Sequence, residues 1–375
     1  MKAVEPFRPR KLLESDAKGY CQITVGPQMK TRSPRGGGKQ KPLRRSNIRE
    51  VAAAAKVSVA TVSRTLAMPE VVLPETRIRV EQVIRRLGYM PNVQARSLRT
   101  ARTNVIVALV PDISNPFFAE VIRGIEQVAL QNRYSVLLGD TQYNVEREQV
   151  YADLVSSGQA DGLITLQAHI PRITNTEALP IVNACEYVTD PAITSVYADN
   201  LGGARQAIEY LLTLGHRSIA SISGPMKSPL SIDRQRGFED TLAAAGIKRN
   251  RKLTVEGDFS AESGIRCAGA LFARGVPFTA LFCANDEMAI GALRAIKSRG
   301  LRVPEDISVV GFDDIRFARF SDPPLTTIAQ PMGDIGREAA TMLIEILNKA
   351  DVAPRKHMLP TQLVVRGSTA PCRTS

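Results

Sequence analysis

The first regular stretch of the chain has apolar residues at a helical spacing. They occupy positions i, i+3, i+4 and i+7 and so form one stripe: Ile48, Val51, Ala52 and Ala55. Asn47 stands just before this stripe and Glu50 follows Asn47 by three residues, which is the spacing of a capping box. The pattern predicts a short helix that begins after Asn47 and buries one face.

A second short helix is predicted after an interruption at Lys56-Val57. Ser58 is placed to cap it, and Val62 and Leu66 supply its inward stripe. The positions that point away from the small core carry short side chains and one guanidinium: Val59, Ala60, Ser63 and Arg64. Such a helix suits insertion into the DNA major groove. An ordinary helical hairpin explains this stretch equally well when it is considered alone.

A third helix is predicted between Pro74 and Gly88, residues that suit its start and its end. Its apolar face consists of Ile78, Val80, Val83, Ile84 and Leu87. Three helices within residues 46–90 bury little area, so this head is expected to be marginally stable alone. Residues 91–103 are cationic and helical in propensity but too few to form a stable helix by themselves. We predict a linker that orders only on contact.

From residue 104 onward, strand-like apolar runs alternate with amphipathic helical segments. The predicted strands are Val105–Val110, Ser135–Leu138, Gly162–Leu166, Ile181–Ala184, Ile219–Ile222, Ala280–Cys283 and Ser308–Val310. The predicted helices are Phe117–Gln131, Val145–Ser157, Leu201–Leu214, Ile232–Ala245, Ala261–Ala273, Asp286–Arg299 and Asp334–Asn348. This alternation indicates an α/β body with parallel sheets covered by helices on both faces. Ligands in such folds bind beyond the carboxyl ends of the strands.

The composition excludes several classes of protein. At 375 residues the chain is long enough for two or three domains. It has no apolar run of about eighteen residues and no apolar segment after its N-terminal charges, so we predict neither a membrane span nor export. Five scattered Cys without CxxC spacing fit a reducing cytoplasm. Three widely separated His give no metal-ligand spacing, so we predict no metal and no cofactor.

The net charge of +12 is concentrated at one end of the chain. Residues 1–45 carry 12 Lys/Arg against 3 Asp/Glu and have no sustained hydrophobic period, which predicts a disordered basic tail. Residues 46–103 carry 10 Lys/Arg against 4 Glu, so the remaining residues 104–375 have a net charge of −3. The basic end therefore has the electrostatic character that nucleic-acid binding requires. A solvated basic tail is the competing interpretation, and it is the preferred one for residues 1–45.

With these elements in this order, the chain resembles the LacI/GalR family of bacterial transcription regulators over about residues 47–369. The resemblance is carried by residues 57–64 (VSVATVSR), 95–98 (ARSL), 110–118 (VPDISNPFF), 199–200 (DN), 285–292 (NDEMAIGA), 310–313 (VGFD) and 324–331 (PLTTIAQP). It implies a helix-turn-helix head (46–90), a hinge helix (91–103), and an effector-binding and dimerisation domain (104–375) built like periplasmic sugar-binding proteins of type I. The expected N-lobe comprises residues 104–200 and 332–359, and the expected C-lobe comprises 201–331 and 360–375.

The resemblance implies a homodimer whose two heads read a near-palindromic DNA operator as a repressor or activator. Two heads sum their contacts and set the half-site spacing. No heptad helix follows residue 367, so a dimer rather than a tetramer is expected. Within the family, residues 224–230, 257–260 and 320–324 are similar to a regulator that responds to a cytidine-type nucleoside. This implies a nucleoside effector, with a pentose, a hexose or a purine as alternatives.

The resemblance also assigns DNA-binding roles. Val59 and Ala60 stand where the family selects bases and would meet thymine methyl groups, while Arg64 would donate to guanine. Phosphate contacts are expected from Asn47, Ser58, Thr61 and Ser63. A solvated surface charge is the alternative for Arg64.

The hinge helix implied by the resemblance consists of Ala95, Arg96, Ser97, Leu98 and Arg99. Leu98 would be a wedge in the minor groove that bends the duplex. The alternative is that Leu98 packs on the α/β body.

In the body, Arg234 and Asp313 match positions that hold ligand hydroxyls in this family. A guanidinium donates and a carboxylate accepts, so together they suit vicinal hydroxyls. Phe118 and Phe259 match stacking walls, with Phe117 beside the first, although any of these rings could be plain core. Asp199 and Asn285 are further polar candidates. Leu230 replaces a polar group of some relatives, which argues against assuming a purine.

Two other functions compete with regulation. A small-molecule binding protein without a DNA role would carry an export signal and no cationic head, which is the reverse of this chain. An enzyme on the same scaffold would need catalytic residues. The sequence has no G-x-S-x-G motif, no G-x-G-x-x-G motif after a strand and no His paired with a nucleophile, so no catalytic residue is predicted.

Overall fold

The computed structural model describes residues 46–90, 102–172, 180–349 and 352–373. These fall into two compact units that divide after residue 91. The predicted basic tail (1–45) and the hinge residues Ala95, Arg96, Ser97, Leu98 and Arg99 lie outside the described residues.

The first unit is a bundle of three helices. They are α1 (Ile48–Ala55), α2 (Val59–Ala67) and α3 (Pro74–Leu87), with a 3-10 turn at Pro69–Val71. Its core consists of Val51, Ala52, Ala55, Val62, Val80 and Val83. Gly88 ends α3 with a φ of 58°, a left-handed conformation that glycine adopts without steric cost. The predicted helix-turn-helix head is therefore confirmed as an α-helical unit.

Two side chains of the head differ from the prediction. Ile78 was expected on the buried face of α3 but is 51% exposed. Val80, Val83, Ile84 and Leu87 keep the i, i+3, i+4, i+7 spacing of one face, whereas Ile78 precedes Val80 by two positions and so points to the opposite side. Thr65 is buried instead, because its hydroxyl donates to the Thr61 carbonyl at 2.9 Å and its methyl group can join the core.

The described part of the second unit contains two sheets of six strands each. The strands are β1 (Val105–Val110), β2 (Ser135–Asp140), β3 (Gly162–Thr165), β4 (Ile181–Cys185), β5 (Thr194–Ala198), β6 (Ile219–Ser223), β7 (Thr254–Glu256), β8 (Ala280–Cys283), β9 (Ser308–Asp313), β10 (Thr326–Ala329), β11 (Lys356–Leu359) and β12 (Gln362–Val364). The helices are α4 (Pro116–Gln131), α5 (Val145–Ser156), α6 (Asn200–Thr213), α7 (Pro229–Ala244), α8 (Ala261–Ala273), α9 (Asp286–Lys297) and α10 (Met332–Asn348). Short 3-10 turns occur at Arg251–Leu253 and Arg316–Arg319.

The sheets define two lobes. The N-lobe sheet has the order β11-β5-β4-β3-β1-β2, and the C-lobe sheet has the order β12-β10-β9-β8-β6-β7. All neighbouring strands are parallel except β10 and β12, which pair antiparallel with Ile328 opposite Leu363. The predicted α/β class is confirmed, with one antiparallel edge strand where purely parallel sheets were expected. Among the described residues, no helix has both the length and the apolar character that a membrane crossing requires.

Along the described ranges, the chain changes from one sheet to the other three times. The changes occur between β5 and α6, between β10 and α10, and between β11 and β12. Five strands were not predicted from the sequence: Thr194–Ala198, Thr254–Glu256, Thr326–Ala329, Lys356–Leu359 and Gln362–Val364. Each has five residues or fewer and contains polar residues, so its hydrophobic pattern is too short to distinguish a strand from a loop.

The N-lobe core depends on a close approach of two helices. A Cβ on Gly124 of α4 would lie 2.2 Å from the carbonyl oxygen of Gly333, and one on Gly336 of α10 would lie 2.0 Å from that of Val121. Both distances are shorter than any contact that a side chain tolerates, so glycine is required at the crossing. This packing fixes α4, whose first turn carries Phe117 and Phe118, against the sheet.

Candidate functional site

The start of α1 has the capping box that the sequence predicts. The Asn47 side-chain oxygen accepts from the backbone N–H groups of Arg49 and Glu50 at 2.9 and 3.0 Å. The Glu50 carboxylate accepts in return from the backbone N–H of Asn47 at 3.3 Å. Asn47 thus provides a hydrogen-bond acceptor for the N–H groups at the start of α1. Its side chain remains exposed, where it can also contact a phosphate.

The outer face of α2 presents the side chains predicted to read DNA. Ser58 caps the helix by accepting from the Thr61 N–H at 3.1 Å. Val59, Ala60 and Arg64 are exposed, whereas Thr61 and Ser63 are half-buried. Since Val62 is fully buried on the inner face, the base-selecting positions of the prediction lie on one solvent-facing surface. Their contacts with DNA remain predictions.

The second unit contains a cavity of about 490 Å³ lined by both lobes. Strand ends supply much of its wall: Pro111 follows β1, Leu166 follows β3, Glu186 follows β4, and Asn285 follows β8. Asp313 ends β9, and Gln330 follows β10. The cavity, which we call the interlobe cleft, therefore lies at the carboxyl ends of the parallel strands, as expected for a ligand site in this class of fold.

Arg234 lies on the C-lobe wall of the cleft and is almost completely buried. Its Nε donates to Oδ1 of Asn200 at 2.9 Å, and its Nη1 donates to the carbonyl of Ala284 at 2.5 Å. Its guanidinium carbon stands 3.8 Å above the centre of the Phe312 ring. Burial lowers the pKa of Arg234, and the carboxylates of Asp313 and Glu186 oppose this effect.

Asp313 faces Arg234 from the end of β9. Its Oδ1 lies 3.6 Å from Nη1 of Arg234 and accepts from Nε2 of Gln330 at 2.6 Å. Its backbone φ is 118°, a strained value for a non-glycine residue. Burial raises the pKa of Asp313 to about 6, although the charge of Arg234 and the Gln330 hydrogen bond act in the opposite direction.

Aromatic rings from both lobes line the same cleft. Phe117 and Phe118 meet edge to face with ring centres 5.2 Å apart, and Phe118 is buried against the N-lobe core. Phe259 has a φ of 69°, and its carbonyl accepts from Nδ2 of Asn285 at 2.9 Å. A Cβ on Gly224 would lie 2.2 Å from the Phe259 ring, so only glycine lets this ring occupy its position.

Asp199 is not part of this arrangement. Its Oδ1 accepts from the Gly202 N–H at 2.8 Å and caps α6, and it is absent from the cleft lining. The other six predicted effector residues line the cleft: Phe117, Phe118, Arg234, Phe259, Asn285 and Asp313. Asn285 has a structural role as well, since its Oδ1 caps α9 by accepting from the Met288 N–H.

The structure adds polar cleft residues that the sequence did not reveal. Glu186 of the N-lobe accepts a hydrogen bond from the Ser228 hydroxyl of the C-lobe at 2.8 Å, and burial raises its pKa. Gln167 donates through Nε2 to Thr141 and to the buried Glu148, which also binds His169. Glu186 follows β4 directly, so the carboxyl-end rule applied to each strand would have found it.

Comparison with known proteins gives two matching family models. Residues 47–92 match "Bacterial regulatory proteins, lacI family", and residues 208–369 match "Periplasmic binding protein-like domain". The HTH-type transcriptional repressor CytR of Escherichia coli K12 is 40% identical over 328 residues, which are 86% of this chain and 96% of that protein.

Two solved structures extend the similarity to the fold. The lac repressor dimer bound to operator and the anti-inducer ONPF is 30% identical with a TM-score of 0.78, and the match covers 87% of this chain and 100% of the other. A LacI family transcriptional regulator from Enterococcus faecium with bound ribose is 28% identical with a TM-score of 0.64, over 72% and 100% of the two chains.

Proposed function

We propose that this chain, which belongs to the LacI family of bacterial regulatory proteins, is a dimeric repressor controlled by a nucleoside in the interlobe cleft. Its relatives place it among sequence-specific DNA-binding regulators of transcription. The nucleoside, the dimer and a site of action at the nucleoid in the bacterial cytoplasm are our proposals. The observation that carries the nucleoside is the buried Arg234–Asp313 pair beside aromatic rings.

The pair has donor and acceptor capacity left for a ligand. Among the described residues, Nη2 of Arg234 donates to no protein atom and Oδ2 of Asp313 accepts from none. A guanidinium donor beside a carboxylate acceptor matches the two vicinal hydroxyls of a ribose, because each hydroxyl can both donate and accept. Unpaired groups at a buried site also discriminate strongly against ligands that lack hydroxyls.

The rest of the cleft suits a flat base attached to that ribose. Phe117, Phe118 and Phe259 supply aromatic surface, and Gln167 and His169 supply polar groups on the N-lobe wall. Leu230, where some relatives carry a polar group, also lines the cleft, and we keep a pyrimidine ahead of a purine for that reason. A volume of about 490 Å³ lies within the range of small-molecule sites.

The side chains of the head would contact both the bases and the phosphates of the operator. We propose that Val59, Ala60 and Arg64 contact base edges and that Asn47, Ser58, Thr61 and Ser63 contact phosphates. Residues 95–99 would form the hinge helix, with Leu98 as the minor-groove wedge. We divide the chain into a basic tail (1–45), a head (46–90), a hinge (91–103) and a two-lobed body (104–375).

Control would follow from linkage between the two sites. A ligand shifts the equilibrium between two arrangements of the lobes only to the extent that it binds one arrangement more tightly than the other. The change in operator affinity that the ligand causes is limited by this difference. The reciprocal effect must be equal, so operator must change the affinity for nucleoside by the same factor.

A ligand panel tests the effector assignment. The purified full chain would be heated with cytidine, uridine, adenosine, cytosine, ribose and a hexose, and the Tm of the body would be recorded. We expect cytidine to raise the Tm most, ribose to raise it less, and the Asp313→Asn variant to lose both effects. Protection by the hexose and by no nucleoside would overturn the nucleoside proposal. Footprinting on genomic fragments with the same ligands would then test whether the proposed effector changes operator occupancy.

A further inference from the structure

A second cavity, of about 200 Å³, opens on the C-lobe away from the interlobe cleft. Its lining includes Ser218 and Ile219, where β6 begins, and Leu253 and Thr254, where β7 begins. The cavity is therefore at the amino ends of the strands, whereas the cleft is at their carboxyl ends. We call this cavity the basal pit. Its volume is less than half that of the cleft, so it suits a smaller ligand.

The floor of the basal pit is apolar and buried. Ile219, Phe238, Leu242 and Leu253 are all more than nine-tenths buried. The Phe238 ring is stacked on Phe282 with a centroid distance of 6.1 Å and an angle of 10° between the planes. Apolar atoms of a ligand that enter this floor leave water and are stabilised by about 25 cal/mol per Å².

The rim of the basal pit is cationic. Arg217, Lys248 and Arg249 line it, and Glu239 is the one acidic residue among the described residues of its lining. Glu239 is already engaged, because Arg249 lies 2.8 Å from it and Nε2 of Gln235 donates to it at 2.7 Å. Over the described ranges, neither Arg217 nor Lys248 forms an ion pair or a side-chain hydrogen bond. The rim thus has two cations that are available to an anion.

We propose that the basal pit is a second small-molecule site that takes an organic carboxylate with a compact apolar body. The apolar part packs on Phe238 and Leu242, and the carboxylate meets Arg217 and Lys248. A charge-assisted hydrogen bond from a guanidinium or an ammonium group is stronger than one between neutral groups. Neither an inorganic anion nor a neutral apolar molecule satisfies both parts of this surface.

Helix α7 connects the basal pit with the interlobe cleft. Arg234, Phe238 and Leu242 follow one another at intervals of four residues and are all buried, so they lie on one face of the helix. Four residues advance the helix by about 6 Å, which separates Arg234 from Leu242 by about 12 Å. Because the two cavities are at opposite ends of this face, a carboxylate and the effector can be bound together.

The test is direct binding of defined probes to the purified full chain. Benzoate and hexanoate would be compared with benzyl alcohol, benzylamine and inorganic phosphate by calorimetry and by ligand-observed NMR at millimolar concentrations. We expect the two carboxylates to bind and the other three probes to bind at least about tenfold more weakly, which corresponds to about 1.4 kcal/mol. Equal binding of benzyl alcohol or of phosphate, or no binding of either carboxylate, would overturn the proposal.

Three variants locate the binding. Lys248→Glu reverses one rim charge at an exposed position and should weaken benzoate binding by about tenfold or more. Arg251→Glu is the matched control, because Arg251 is on the same cationic loop but does not line the pit. Ala243→Leu adds bulk at the mouth and should also weaken binding while the rim charge stays the same. Unchanged affinity in both Lys248→Glu and Ala243→Leu would exclude the basal pit.

Asp313→Asn separates this site from the cleft. If benzoate occupies the basal pit, this variant binds it with the same affinity as the parent protein. Loss of benzoate binding in Asp313→Asn would place the carboxylate in the cleft and refute the second site. The outcome does not depend on whether the effector is a nucleoside.

Discussion

Nη1 of Arg234 lies 3.6 Å from Oδ1 of Asp313, and the two side chains keep only 4% and 8% of their exposure. One residue comes from a helix and the other from the end of a strand, and they are 79 positions apart in the sequence. A pair so deeply buried contributes less net stability than its Coulomb energy suggests, since both groups lose their hydration. Its position at the ligand cleft favours a role in binding.

Removing one member of the Arg234–Asp313 pair should destabilise the folded protein. Arg234→Met leaves Asp313, Glu186 and Asp286 without their buried cation, so we expect a loss of about 3–5 kcal/mol in the free energy of unfolding. The measurement is urea unfolding of the parent and the variant. Arg266→Met is the control, because the Arg266–Asp258 pair is exposed and should contribute about 1 kcal/mol or less. Equal losses in the two variants would contradict a special cost at the buried site.

The stability contribution of Asp313 should fall as the pH rises. Its pKa in the folded protein is raised from 3.8 to about 6, so the folded state holds a proton over a pH range in which the unfolded state has released it. The contribution is therefore fully present below pH 3.8 and is lost as the pH rises through about 6. The difference in unfolding free energy between the parent and Asp313→Asn should shift in favour of the variant over this interval. A difference that does not change with pH would contradict the raised pKa.

Effector binding should have the opposite dependence on pH. A ligand hydroxyl donates to the ionised Asp313, so the affinity should fall by up to about tenfold for each pH unit below about 6. Calorimetry with cytidine between pH 5 and 8 measures this. Glu287, whose pKa burial raises to about 7, titrates nearby, so the profile should be repeated with Glu287→Gln. A profile that disappears in this variant would assign the effect to Glu287 instead.

Base selection should depend on Arg64. If its guanidinium contacts guanine, Arg64→Ala relaxes discrimination at one operator position by about 1–3 kcal/mol. Fluorescence anisotropy with single-base operator variants measures the change. Arg85→Ala, at an exposed position on α3, is the matched control because it also removes one positive charge. It should weaken binding to all operator sequences to a similar degree. A uniform loss for Arg64→Ala would reduce its role to phosphate contact.

The helix crossing in the N-lobe should tolerate no side chain. Gly124→Ala places a methyl group 2.2 Å from the Gly333 oxygen, so we expect a loss of about 1–3 kcal/mol or more in unfolding free energy. Gly269→Ala in α8 is the opposite case, because the new Cβ would contact only the Arg299 guanidinium, at 3.7 Å. That substitution should stabilise by about 0.5–1 kcal/mol through helix propensity. Similar effects of the two changes would contradict the close approach.

The local pattern of the sequence was sufficient for most elements. The stripe of α1, the caps at Asn47 and Ser58, and the apolar runs of β1 and β3 depend on neighbours within a few residues, and each was predicted. The prediction was wrong at Ile78, which precedes Val80 by two positions and therefore lies on the opposite side of the helix. Asp199 was expected in the cleft as a polar candidate from the family resemblance, yet its carboxylate caps α6.

The sequence by itself determined the alternation of strands and helices, the cationic head and the residue types that can hold a ligand, because these follow from spacing along one chain. The tertiary structure decided which of those residues meet. The Glu186–Ser228 and Asp313–Gln330 hydrogen bonds, the position of the Phe259 ring on Gly224 and the basal pit all arise between separate segments. Such contacts depend on how the strands are ordered and how the lobes pack, and no period within a single segment encodes them.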